Sequence, residues 1–201
     1  MPRAIEKSVD DLLALSAKGL ENKLPEAFNE IREYGIEKLL KQYPDFLGRL
    51  LTKLRDCDPA ELFSRVPGVA DQLMELLWAG VSYRAEQVKE MKALLEKAER
   101  DIHVNIEASD SPFKCHFMVQ KGKILGRPGL LHFKDEDFRF MGPTEVLMDL
   151  LTGDLPMGFS NLRLQTAGNS GWVSRIAPVI REMARLLNGA RGTADKIGSG
   201  I

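Results

Sequence analysis

Up to about Arg100 the apolar residues recur at helical spacing, and beyond it they alternate one by one. The spacing predicts a first helix over Ile5 to Leu20, ended by Gly19 or Asn22. Pro25 opens a second segment with Phe28, Ile31, Ile36, Leu39 and Leu40 on one broad side. Pro44 starts a third, carrying Phe46, Leu47, Leu50, Leu51 and Leu54. Asp58-Pro59 has the cap and first-turn chemistry of a short fourth helix. After Pro67-Gly68 comes the longest periodic run, Val69 to Arg100, whose stripe includes Leu73, Leu77, Val81, Met91 and Leu95. Unbroken it would be about 45 Å long, with Gly80 weakening its middle. The stripe mixes three- and four-residue steps, which favours a core-packing helix over a coiled-coil seam.

Past Asp101 the period becomes two. Ile102, Val104 and Ile106 alternate with His103, Asn105 and Glu107. Phe113, Cys115, Phe117 and Val119 alternate with Lys114, His116, Met118 and Gln120, and Ser109 to Pro112 joins the two runs as a hairpin. Lys121-Gly122-Lys123 makes a second tight connection into Ile124-Leu125-Gly126, and short runs at Leu130–Phe133 and Phe138–Phe140 follow. Gly142-Pro143 stops the strands and starts a helix with Val146, Leu147, Leu150 and Leu151 on one side. Asn161 to Thr166 reads as one more strand. Trp172 to Leu187 reads as a last helix, with Ser174 as cap and Pro178 near its start. The order of elements gives an α+β fold: a largely antiparallel sheet of about five strands covered by helices, behind an all-helical extension.

Composition narrows the function. The 201 residues carry 28 basic and 29 acidic side chains, for a net charge of -1, so binding nucleic acid by phosphate neutralisation is disfavoured. Cys57 and Cys115 are too few and too far apart for a disulfide scaffold or a zinc site, and suit a reducing cytoplasm. No apolar run approaches the roughly 20 residues that span a bilayer.

Candidate chemistry is sparse. His103, His116 and His132 all fall on expected strands, where a half-exposed histidine is commoner than a metal ligand. Cys115 and His116 are neighbours on a strand and point to opposite faces, so they make no nucleophile–base pair. Asp135-Glu136-Asp137 reads as a charged turn rather than a metal site. Nucleophile-elbow, dinucleotide and Walker motifs are absent. The reading is a non-enzyme with no cofactor and no metal.

Residues 101 to 187 resemble the sterol carrier protein type 2 family of small lipid-binding domains. The resemblance is carried by Phe138 to Phe140, Glu145 to Leu151, Thr152-Gly153, Phe159, Asn161-Leu162-Arg163-Leu164 and Gly168-Asn169-Ser170-Gly171. It is dense over its last 35 residues and rests upstream on strand order; Asn161 stands where the family usually has glycine. It implies a tunnel between sheet and helices that holds a fatty acyl chain, sterol or other lipid. Phe117, Phe133, Phe140, Met148, Leu151, Met157, Phe159, Leu162, Trp172 and Ile176 would line it. Burying about 300 Å² of ligand there supplies about 7 kcal/mol before association costs, with no reactive group required.

The domain division expected is a helical extension over 1–68, a lipid-binding domain with a long leading helix over 69–190, and a flexible tail over 191–201. The extension would cover the pocket, dimerise the protein or dock it to an enzyme. Arg175, Arg181 and Arg185 put basic charge on the last helix for transient contact with a membrane surface. Two other readings stand beside the carrier: a protein-interaction scaffold with its cavity filled, and an accessory subunit that presents a lipid or quinone to an enzyme.

Overall fold

The structure, a computed structural model, describes residues 9–98, 100–153, 163–168 and 171–188. The expected tail at 191–201 lies outside the described residues. Residues 9–14 are helical. Then follow α1 (Ala17–Tyr34), α2 (Ile36–Gln42), α3 (Phe46–Arg55), α4 (Pro59–Arg65), α5 (Val69–Ala85) and α6 (Lys89–Glu96). The second half runs β1 (Ile102–Ala108), β2 (Lys114–Gln120), β3 (Lys123–Pro128), β4 (Phe138–Gly142), α7 (Thr144–Thr152), β5 (Gln165–Gly168) and α8 (Gly171–Leu187).

The strands form one five-stranded sheet in the order β3-β2-β1-β4-β5. All pairs are antiparallel except β1 with β4, which is parallel. This is the expected α+β fold with a largely antiparallel sheet. The two hairpins fall at the expected turns, and Lys121 and Gly122 in the second both have positive φ.

Several element boundaries differ from expectation, each for a tertiary reason. Pro25 does not open a helix but lies inside α1. Leu20, Leu24, Phe28 and Ile31 continue one buried stripe across it, and burial of that stripe outweighs the hydrogen bond that proline removes. The helix begins instead at Ser16, whose hydroxyl accepts from the Gly19 amide at 3.3 Å. The long helix from Val69 breaks at Glu86–Val88, not at Gly80. Strands of seven residues are about 23 Å long, and the 17 residues of α5 span about 25 Å, so an unbroken rod would overshoot the sheet that it covers. Gly80 is a point of close approach, where a methyl group would collide with Leu47 of α3.

Of the strand expected over 161–166, residues 161–162 lie outside the described residues; the observed strand is Gln165–Gly168, because its partner β4 fixes where pairing occurs: Phe138 faces Gly168 and Met141 faces Gln165. Pro178 falls in the interior of α8, flanked by buried Ile176, Val179 and Ile180. The expected run at Leu130–Phe133 is not a strand. It belongs to a strap, residues 129–137, that crosses the face of the sheet opposite the helices on its way from β3 to β4.

One contiguous core joins the two halves, from Val9 to Leu187. Helix α5 lies along β3 and β2, while α7 packs on β4 and β1. Helix α8 packs on α3, α5, α6 and α7, and α3 packs on α7. Arg55 of α3 bonds Asp149 of α7 at 3.3 Å, and Asn188 donates to the Thr152 carbonyl at 2.7 Å beside Gly48 of α3.

Candidate functional site: the apolar face of the sheet

Alternation along the strands places Val104, Ile106, Cys115, Phe117, Phe138 and Phe140 on the face that the helices cover, all of them buried. Register brings them together: Val104 pairs with Phe117 on one side and Phe138 on the other, and Ile106 with Cys115 and Phe140. Phe138 and Phe140 meet edge to face at 4.9 Å between centroids. From above, α7 supplies buried Val146, Leu147, Met148, Leu150 and Leu151, next to Ile176 of α8.

Of the residues expected to line a tunnel, Phe140, Met148, Leu151 and Ile176 are buried around α7, and Phe117 is buried under α5. Phe133 is a correction. It is 64% exposed in the strap, on the far side of the sheet, because the strap turns it outward beside the His132 ring. Met157, Phe159 and Leu162 lie outside the described residues. Trp172 is in the first turn of α8, and its side chain lies outside the described residues.

Two residues that sequence reasoning missed shape this site, and a third organises the opposite face of the sheet. Trp78 of α5 lies against Phe117, with ring centroids 5.2 Å apart, and over Gly126 of β3, where a methyl group would overlap the indole. The available signal was that α5 is apolar around most of its circumference, which marks a helix buried on more than one side. Phe63 of α4 stacks on Phe113 at 5.7 Å, with the rings 13° from parallel. Asn105 alternates with the apolar residues of β1, yet it is 0% exposed. Its amide donates to the Leu131 carbonyl at 3.1 Å and accepts from the Leu131 amide at 2.9 Å, so it acts as a strand partner for the strap. Glu136 also accepts from it, and Arg139 links Glu136 to Glu107.

The other polar groups on this outer face are occupied in the same way. His103 Nδ1 donates to the Asp135 carbonyl and His116 Nδ1 to the Gly129 carbonyl, each at 2.9 Å, while His132 Nδ1 accepts from the Lys134 amide at 3.3 Å. His132 is therefore on the strap rather than on a strand. No cluster of three potential metal ligands exists among the described residues. Burial pushes the Cys115 thiol up to about 12, a rise that the neighbouring Trp78 indole opposes. That indole N–H makes no hydrogen bond of sound geometry, so its hold on the sulfur is loose.

Two open grooves lie in the helical half. One of about 530 Å³ runs between residues 11–15 and α1, and one of about 560 Å³ lies among α1, α2 and α5. On α8, Arg185 is held by Glu182 at 2.6 Å and lies 3.9 Å from Glu90, which removes it from the expected basic face; Arg175 and Arg181 are exposed. No helix among the described residues is long and apolar enough to cross a membrane.

No protein-family model and no curated protein sequence matches the chain. Among solved structures it is similar to sterol carrier protein 2 from Yarrowia lipolytica in its apo form, at 17% identity. That likeness covers 61% of this chain and 95% of the other, with a TM-score of 0.41.

Proposed function

We propose that this chain binds an apolar ligand, a fatty acyl chain, sterol or other lipid, between the covered face of the sheet and helices α5 and α7, without catalysing a reaction on it. The observation that carries the reading is an interior face built only from apolar side chains and a thiol, facing a helix whose buried residues include Met148 and four branched aliphatics. Methionine is flexible and polarizable, and adapts to an irregular guest. The resemblance over residues 101 to 187 points the same way. The polar groups capable of chemistry are on the other face, engaged with the strap. We assign binding to residues 69–190 and covering to residues 1–68, in the cytoplasm, where the free thiols Cys57 and Cys115 stay reduced.

Trp78 favours a second reading. An indole lying flat on Gly126 and against Phe117 fills the space between α5 and β2, as in a scaffold whose cavity is closed. Organic-solvent extraction of the purified protein followed by mass spectrometry, with titration of a fluorescent fatty acid, separates the two. Carrier function predicts co-purified lipid and saturable binding of the fluorescent fatty acid, which the co-purified lipid displaces. An empty extract together with no fluorescent binding rejects the carrier and leaves the scaffold.

A further inference from the structure

Helix α4 is seven residues long and is bounded by two left-handed backbone positions, Asp58 at φ 51° and Gly68 at φ 78°. Both are exposed. A left-handed residue with a Cβ costs about 1–2 kcal/mol, and Asp58 is held there by accepting from the Glu61 amide at 3.1 Å. On its inner side α4 buries Pro59, Leu62 and Phe63. Phe63 stacks on Phe113, the residue through which the hairpin enters β2 on the apolar face. Its outer ties are Arg65 to Glu61 and Arg65 to Glu21 at 3.3 Å. Arg65 is 57% exposed, and pairs of that kind contribute little. The flanking helices are anchored differently: α3 buries six residues, and α5 is buried along its length. A short helix between two left-handed backbone positions, with three buried side chains, is held less firmly than α3 and α5 on either side of it.

We infer that α4 is a hinged gate, with Asp58 and Gly68 as hinges and Phe63 as the stopper that lifts off Phe113 to admit the hydrocarbon end of a lipid to the sheet's apolar face. The inference rests on the ligand-binding reading and specifies the port. In the closed state Phe63 seals the hairpin end of the face, between α5 and α7. In the open state Phe113 is uncovered, and a chain slides in along Cys115 and Phe117.

The gate is tested first without ligand, by hydrogen exchange on the full chain. The Leu62 amide bonds the Asp58 carbonyl and the Val66 amide bonds the Leu62 carbonyl, each at 3.0 Å. Local opening makes these two exchange at least tenfold faster than hydrogen-bonded amides in the middle of α3 and α5. Exchange in step with α3 and α5 overturns the hinge. Second, Phe63→Ala speeds the association of a fluorescent C16 fatty acid at least fivefold in stopped flow; an unchanged rate overturns the stopper. If that variant does not fold, Phe63→Leu, which keeps the burial and loses the stacked ring, gives the same test. Should the wild-type chain bind no fatty acid, the ligand-binding reading fails, while the exchange pattern still decides whether α4 opens on its own.

Discussion

Cys115 shows how a single position on the sheet governs reactivity. Its side chain is buried between strands and α5, where a thiolate has no solvation, so burial holds the thiol neutral up to about pH 12. In the unfolded chain it ionises near its ordinary value of 9.0. The folded pKa is the higher one, so this group's contribution to stability is complete below about pH 9 and is lost as pH rises toward 12. At pH 8 a thiol reagent should modify the half-buried Cys57 and leave Cys115 until urea unfolds the protein. Two equally fast thiols in the native state would contradict the buried placement. Asn105 makes the complementary point. Its two bonds to Leu131 replace a missing strand, and an unpaired amide in that position would cost about 1–3 kcal/mol. Alternation identified its face correctly, but not that a strap would cover it.

Among the elements, α1 places the clearest conflict between local rule and tertiary demand. Pro25 leaves the Glu21 carbonyl without its helical donor and still lies between Leu24 and Phe28 on a continuous buried stripe. Pro25→Ala is therefore expected to stabilise the protein by about 1–2 kcal/mol, offset in part by a more flexible unfolded chain. Urea unfolding measures this directly, and a loss of stability would mean that the ring makes packing contacts worth more than the restored bond. Cap signals and breakers each misled once the chain folded: Ser174, read as the cap of the last helix, lies in the first turn of α8, which begins at Gly171. Asp58-Pro59 starts α4 as its chemistry requires, whereas Gly80 and Pro178, read as weak points or starts, lie inside helices held by packing.

For the whole molecule, the contiguous core means that the helical half is not an appendage in energetic terms. Leu47, Leu50 and Leu54 of α3 and Phe63 of α4 share one apolar cluster with Phe113 and Leu147 of the sheet half. Thermal unfolding followed by far-ultraviolet circular dichroism and by tryptophan fluorescence should therefore give one coincident transition. Chain lacking residues 1–68 should lose that cooperative transition, because the surfaces of α5 and α7 would be stripped of cover. Two separate transitions in the full chain would show instead that the halves fold independently. The order of helices and strands, the two hairpins, the covered face of the sheet and the apolar run of α7 were set by the sequence itself, since periodicity and turn chemistry act between near neighbours. Where α5 ends, which residues of the last strand pair, how Asn105 comes to be buried, and the meeting of Trp78 with Gly126 and of Phe63 with Phe113 were decided only in three dimensions. Those depend on contacts between residues tens of positions apart, and no local period encodes them.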